Sequence, residues 1–255
     1  MRVISDLSEG RRLLAELFGE AEAGVVFTGA GISTESGIPD FRSPGGIWSR
    51  MKPILFQEFV ESEAARLEDW RRRFMMRRDF LAAEPNDGHR AVSALVAAGR
   101  VETVITQNID GLHQRSGVPE DQVVELHGTV MHAHCLECGE AYAFDGLEEE
   151  IARTGRSPRC PECGGFLKSA IINFGEAMPP DAMLEAERAS RTTDLFVAVG
   201  SSLVVYPAAS FPLVAKESGA TLVIVNREPT ALDDAADYVL LGGIGDLFRP
   251  LAPSQ

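Results

Sequence analysis

The sequence predicts an α/β fold: a doubly wound parallel sheet with a cysteine-bearing segment inserted into it. Two observations carry this. Short apolar runs recur at residues 25–28, 101–106, 123–126, 195–199, 221–225 and 238–241, separated by amphipathic stretches and loops. Strands that are apolar on both faces belong in a parallel sheet covered by helices on each side. The rhythm stops between His127 and Phe166, where all 4 cysteines lie, and then resumes.

A chain of 255 residues is long enough for a substantial core, in one large domain or two small ones. Its 24 basic against 38 acidic residues leave a net charge of −14. That balance argues against general affinity for nucleic acid or an anionic membrane, both of which need a basic surface. It suits basic partners. No apolar run approaches the ~18 residues of a membrane span. The N-terminus lacks the continuous apolar core of a signal peptide, so a cytoplasmic location is expected.

The elements follow in order. Leu7, Leu13, Leu14, Leu17 and Phe18 mark an amphipathic helix. The run at 25–28 is too short for a helix and rich in strand formers, and it leads into Gly29-Ala30-Gly31-Ile32-Ser33. Residues 48–59 contain Pro53 and read as a loop plus a short helix. A longer helix is expected over 62–83, with Leu67, Trp70, Phe74 and Leu81 as its buried stripe. Arg77 completes that spacing and should face inward, to meet either a structural carboxylate or one on a substrate. Pro85-Asn86-Asp87-Gly88 ends this helix, and 89–98 reads as the next. The strand at 101–106 runs into Gln107-Asn108-Ile109-Asp110, and that at 123–126 into His127-Gly128. Beyond the cysteines, 195–199 leads to Gly200-Ser201-Ser202, 207–218 is helical, and 221–225 ends at Asn226. Open α/β sheets bind ligands beyond the carboxyl ends of their strands, which is where these polar groups fall.

Cys135-x-x-Cys138 and Cys160-x-x-Cys163 form two knuckles whose separation suits one tetrahedral zinc. Four sulfur ligands close the coordination sphere, so the metal should be structural. Two disulfides are the alternative, disfavoured in a chain without a secretion signal. Glu137, Glu140, Glu148, Glu149 and Glu150 make this ribbon a poor binder of nucleic acid.

The remaining groups each admit two readings. Gly29-Ala30-Gly31 after a strand is either a tight turn or a phosphate cradle lacking the third glycine, whose place Thr34 takes. Gly37-Ile38-Pro39-Asp40-Phe41-Arg42 mixes flexible, rigid, acidic, aromatic and basic residues in one loop, which a plain connector does not need. Gln107-Asn108-Ile109-Asp110 is either an Asx-type turn or a site for an amide-bearing ligand. His127 is either structural or a general base. Small hydroxyl residues at 200–202 can hold phosphate, and Asn226 a ribose.

GAGIS, GIPDFR, TQNIDGLH, the His127-Gly128 pair, the four cysteines, Phe174-Gly175-Glu176, GSSL and Val225-Asn226 occur in the order found in the sirtuins. The chain therefore resembles an NAD-dependent protein-lysine deacylase from about Val25 to Leu251. The resemblance implies a Rossmann-type large part (about 1–42, 85–127 and 167–255) and a smaller domain made of a helical module (about 43–84) and a zinc ribbon (about 128–166). It implies NAD contacts at Gly29, Ala30, Gly31, Ser33, Asp40, Arg42, Gln107, Gly200, Ser201, Ser202, Asn226 and Ile244. Ile38, Phe41, Asn108, Ile109 and Asp110 would form the nicotinamide pocket.

His127 would act as general base on the ribose hydroxyls, with Asn108 the second catalytic residue. The products would be nicotinamide, 2′-O-acyl-ADP-ribose and free lysine. Phe174, Gly175, Glu176, Val204 and Val205 would flank an extended acyl-lysine peptide. Sirtuins that remove succinyl groups resemble one another in a Tyr-x-x-Arg pair on the helical module; Phe74 and Arg77 stand there here, which favours acetyl. Lys168-Ser169-Ala170 and Asn173 depart from the pattern usual beside the peptide groove. ADP-ribosyl transfer, NAD hydrolysis and a non-enzymatic NAD-sensing module are the rival readings.

Overall fold

In the computed structural model, which describes residues 1–251, the core is a seven-stranded sheet in which every adjacent pair is parallel. The chain begins with β1 (Arg2–Ile4), α1 (Leu7–Glu20) and β2 (Gly24–Thr28). Asp6 caps α1 by accepting the Glu9 N–H at 2.8 Å. A 3-10 helix, Ala30–Ser36, follows β2 and ends at Gly37, whose φ of +84° few other residues tolerate. The helical module contains α2 (Phe56–Glu61) and α3 (Glu63–Ala82). Next come α4 (Asp87–Ala97), β3 (Val101–Thr106), α5 (Leu112–Arg115) and β4 (Val123–Glu125).

The inserted segment holds β5 (Gly128–Cys135), β6 (Ala141–Ala143), α6 (Leu147–Thr154) and β7 (Leu167–Ile171). The chain then re-enters the large sheet through α7 (Pro180–Thr192), β8 (Leu195–Val199), α8 (Phe211–Glu217), β9 (Thr221–Asn226), β10 (Tyr238–Leu241) and α9 (Ile244–Phe248).

The large sheet runs β1-β10-β9-β8-β2-β3-β4. Its two faces are both covered. Val26, Val197, Val223 and Val225 point into a core shared with α1, α4 and α9. Their neighbours Val25, Phe27, Phe196, Ala198 and Ile224 point into a second core beneath α7 and α8. Strict alternation of the two sets is the pleat, and it explains why these strands carry no polar face.

The small sheet, β6-β5-β7, is antiparallel. β7 pairs with β5, so residues 167–171 belong to the insertion and the return to the large sheet comes after them, not at 167 as expected. The last four residues of the expected large part, 252–255, lie outside the described residues.

The stripe expected on α3 is partly displaced. Trp70 and Phe74 are buried, but Leu81 is 44% exposed and Phe80 takes its place. Phe74 packs with Trp70, Phe144 and Leu147 in the core under the ribbon. Arg77 also turns that way: its guanidinium lies 5.2 Å from the Phe144 ring centroid. Phe74 and Arg77 therefore face the ribbon and do not line the large cleft described below, which corrects their expected place in an acyl pocket.

Cys135, Cys138, Cys160 and Cys163 are free thiols whose sulfurs all lie within 4.8 Å of one another. Cys135 and Cys163 approach to 3.4 Å, and Cys138 and Cys160 to 3.7 Å. Tetrahedral zinc with Zn–S bonds of ~2.3 Å separates its sulfurs by about 3.8 Å, so the four fit one ion. Tyr142 Oη lies 3.0 Å from Cys160 Sγ, an outer contact of the kind that orients a metal ligand. The site supplies cross-linking, because no coordination position is left for chemistry.

Two outcomes follow from this packing. The purified protein should carry one zinc per chain by metal analysis, and Cys135→Ser should aggregate or lose its cooperative thermal transition, since a closed thiolate site contributes folding energy directly. A zinc-free protein with an intact transition would refute that role. Gly128→Ala should cost at least about 2 kcal/mol in urea unfolding. Gly128 has φ +69°, and a Cβ there would stand 1.9 Å from the Ala170 carbonyl oxygen; an unshifted unfolding midpoint would contradict this.

Candidate active site

The strand order reverses between β2 and β8: from β2 the chain steps to β3 and β4 on one side, then returns through β8, β9 and β10 on the other. Loops splay apart at such a point, and a cleft of about 680 Å³ opens there along the carboxyl ends of the strands. Gly29, Ala30, Gly31, Asp40, Phe41 and Arg42 line it, as do Gln107, Asn108, Ile109 and His127. So do Gly200, Ser201, Ser202, Asn226 and Ile244, together with Phe174, Gly175, Glu176 and Val205. Val204 is 49% exposed and is not on the cleft wall.

The glycines of the first loop serve a contact that sequence reasoning did not foresee. Gly31 N–H donates to the Gly200 carbonyl at 2.8 Å, and Gly29 N–H to Val199 at 3.0 Å. A Cβ on Gly31 would lie 2.7 Å from Gly200 Cα, and one on Gly200 would lie 2.5 Å from Ile32 N. Two strand-end loops therefore touch backbone to backbone. Thr34, in place of a third glycine, bonds back to the Gly31 carbonyl at 2.9 Å and also lines the cleft.

Ser33, Ile38 and Asp110 sit behind this surface. Ile38 packs with Ile109 and Ile171 in the core and lines a smaller adjoining pocket of about 250 Å³. Ser33 Oγ donates to Asp110 at 2.7 Å, and Asn108 Nδ2 reaches the Gly29 carbonyl at 3.2 Å and Ser33 at 3.3 Å. Burial pushes the Asp110 carboxyl up, against the bonds from Leu112 and Ser33 that pull it down. The Asn108 backbone is held as well, donating to Thr106 Oγ1 at 3.0 Å; Thr28 Oγ1 donates to the same oxygen at 2.8 Å and lies 2.9 Å from His113 Nε2. Burial lowers His113 to about 4 and His89 well below its ordinary value, so both imidazoles are neutral. The two histidines behind the site were not assigned from sequence. Their only signal was position, one at the first turn of a helix and one directly after a candidate loop.

His127 lies where the large sheet hands over to the small one. Its Nδ1–H donates to the Gln107 carbonyl at 2.9 Å, which leaves Nε2 as the free acceptor. Burial lowers its pKa and the Arg42 charge adds to this, while the Gln107 bond partly offsets them. The imidazole is thus neutral and half-buried beside the cleft. Gln107 is fixed from its other end, accepting from Ser201 Oγ at 2.7 Å. Phe41, Trp48 and Phe174 form an aromatic ladder across the mouth, with centroids 5.5 and 5.4 Å apart. Arg42 stacks on Trp48 at 4.1 Å.

On α3 the cleft is met by Asp69, Arg72, Arg73 and Met76. Sequence reasoning missed this face. The signal was there: Asp69, Arg73 and Met76 follow three-four spacing, one residue out of phase with the apolar stripe of Trp70 and Phe74. Glu176, expected to flank the substrate peptide, is committed to Lys168 at 2.9 Å.

No helix among the described residues is long and apolar enough to cross a membrane. The cleft's donors suit a dinucleotide: hydroxyls and a guanidinium for phosphate, an amide beyond β9 for ribose, and apolar Ile109 and Phe41 for a planar ring.

Residues 29–207 match the model of the Sir2 family. An NAD-dependent protein deacetylase of Rhodopseudomonas palustris is 52% identical over 97% of this chain and 98% of its own length. NAD-dependent protein deacetylase 1 of Bradyrhizobium diazoefficiens is 53% identical over 98% of each. A solved Sir2 with a p53 peptide and NAD+ superimposes with a TM-score of 0.83 at 37% identity, covering 94% of this chain and 96% of that one. Another, holding a deacetylated p53 peptide and 3′-O-acetyl-ADP-ribose, gives 0.85 at 37% identity over 93% and 95%. The chain belongs to the Sir2 family.

Proposed function

We propose that the protein removes acyl groups, acetyl above all, from protein lysine side chains at the expense of NAD, giving nicotinamide, 2′-O-acyl-ADP-ribose and free lysine. The observation that carries this is the state of His127: neutral, fixed through Nδ1 by Gln107, and free at Nε2 beside a cleft that also holds Asn108. Family membership, and relatives named as NAD-dependent deacetylases, support the same reading.

NAD supplies an electrophilic ribose carbon whose leaving group, nicotinamide, departs neutral. The protein's task is accordingly orientation and exclusion of water rather than strong acid catalysis. Asn108, held at both its backbone and its amide, gives the nicotinamide side of the cleft a fixed polar edge, with Ser33 and Asp110 behind it. Ile109 and Phe41 shield it. His127 Nε2 takes the proton from a ribose hydroxyl and later returns it, a role that requires the neutral imidazole its burial favours. Gly29, Gly31, Ser201, Ser202 and Arg42 hold the phosphates, and Asn226 the distal ribose. Phe174, Gly175 and Val205, with exposed Tyr206 beside them, offer an edge to an extended peptide. Four reduced thiols suit a cytoplasmic setting, and the net charge of −14 suits lysine-rich substrates.

The test is His127→Ala. It should lower deacetylation by about 10²- to 10⁴-fold while NAD binding and the thermal midpoint persist. In the parent enzyme, activity should fall with decreasing pH as His127 protonates. Because its pKa is lowered, the acid limb should have its midpoint below the ordinary histidine value of ~6.5. Mass spectrometry should find O-acyl-ADP-ribose. Free ADP-ribose as the only product, or an undiminished His127→Ala enzyme, would overturn the reading.

A further inference from the structure

Met76 packs with Ile38, Ile109 and Ile171, so the apolar wall beside the nicotinamide-side residues continues onto α3. It ends at Arg73, whose Nη1 lies 3.9 Å from Met76 Sδ. This guanidinium is already engaged. Nε and Nη2 hold the two Asp69 oxygens at 3.2 and 2.9 Å, and Nη2 also donates to Asn173 Oδ1 at 3.0 Å. Asp69 is 1% exposed and Asn173 5%. The Asn173 N–H donates to Glu176 Oε2 at 2.8 Å, and that same oxygen pairs with Lys168 Nζ at 2.9 Å. Lys168 is fully buried. Two cations, Arg73 and Lys168, thus face two carboxylates, Asp69 and Glu176, and the cluster closes at zero charge.

From this balance we infer that Asp69 determines acyl specificity: by holding Arg73 it closes the end of the cleft to acyl groups that carry a carboxylate. The inference rests on the deacylase reading and names the substrate class of that site, short uncharged acyl groups. An uncharged chain meets an apolar wall whose terminal charges are mutually satisfied. A succinyl or malonyl carboxylate adds a fifth, uncompensated charge to a buried neutral cluster. Asp69 takes the Nε/Nη2 edge of Arg73, so a substrate carboxylate can bond bidentately only at the Nη1/Nη2 edge, where it must displace Asn173 and meets a guanidinium whose charge Asp69 already neutralises. The other arginine on this wall offers no substitute, because Arg72 is held by Glu68 at 2.7 Å and by the Lys52 carbonyl at 2.6 Å. Rejection therefore comes from a carboxylate of the protein that already neutralises the guanidinium a substrate's would need. Asn173 fixes the geometry by tying Arg73 to the segment after β7.

The experiment compares kcat/KM for one peptide carrying acetyl- or succinyl-lysine, in the parent enzyme, in Asp69→Asn and in Asp69→Asn/Arg73→Gln. Calorimetric binding of both peptides without NAD gives a second readout. Acetyl should dominate in the parent. Asp69→Asn keeps the shape but frees the guanidinium, and should raise the succinyl-to-acetyl ratio at least about tenfold in both turnover and binding. The double variant should lose that gain. Asp69→Ser serves as a second carboxylate-free variant if the amide impairs folding. A parent enzyme that handles succinyl as well as acetyl overturns the inference whatever the variants do, as does a folded, active Asp69→Asn with an unchanged ratio. A parent that turns over neither peptide with NAD present overturns the deacylase reading itself, and this inference with it.

Discussion

The backbone contact between the loops after β2 and β8 is the constraint on which the site depends. Gly31 and Gly200 are close enough that a methyl group on either would strike the other loop's backbone. Because β2 and β8 are neighbours at the point where strand order reverses, this contact sets the floor of the cleft and the relative height of every loop around it. Ser201, one residue beyond, passes the constraint on by donating to Gln107, and the Gln107 carbonyl in turn fixes His127. Four loops are thus indexed to one another by backbone contacts and by the Ser201, Gln107 and His127 side chains. Gln107 is the one long, flexible side chain among these contacts, so side-chain entropy opposes the arrangement mainly there.

A second constraint joins the two sheets. His127 follows β4 of the large sheet and precedes β5 of the small one, and its carbonyl accepts from the Ile172 N–H at 2.9 Å. Gly128 lets the chain turn there against the Ala170 carbonyl, which is the physical meaning of the His-Gly pair. The small sheet has few long apolar side chains, and the packing of Cys135 and Cys160 with Trp70, Phe74 and Phe144 makes the thiolate site part of its core. A structural metal some distance from the chemistry therefore bears on the histidine through β5 and β7.

Legibility from sequence followed burial type. Strands buried on both faces by valine, isoleucine and phenylalanine announce themselves, and the loops at their polar ends line the cleft. β1, α6 and α7 were not drawn: β1 has only three residues, α6 buries only Leu147, and α7 meets the sheet through small residues, Ala186, Ala189 and Ser190, which give little apolar periodicity. α3 misled more instructively. Its sequence carries Trp70 and Phe74 on one face and Asp69, Arg73 and Met76 on an adjacent one, and both faces are buried. Apolar periodicity sees the first alone. A charged pair inside a helix normally reads as solvated surface, and only the partner Asn173, a hundred residues away, turns it inward. For the same reason Arg77, which the stripe pointed inward, met the Phe144 ring and not the cleft.

Cofactor handling and acyl selection accordingly rest on different foundations. The loops on the large sheet are fixed by close backbone contacts that tolerate almost no substitution. The acyl wall is fixed by a buried polar cluster drawn from α3 and the segment after β7, whose members can change if charge and shape change together. Lys168 and Asn173, two of the positions expected to depart from the sirtuin pattern, belong to this cluster. Asn173 brings an amide there, and that amide is what Arg73 and the Ile54 carbonyl bond to. An apolar residue there would leave one Arg73 donor and the Ile54 carbonyl without these partners, a loss of about 1–3 kcal/mol for each group that stays buried. The departure at 173 and the Asp69–Arg73 pair on α3 are therefore one feature, divided between two parts of the chain that only the fold brings together.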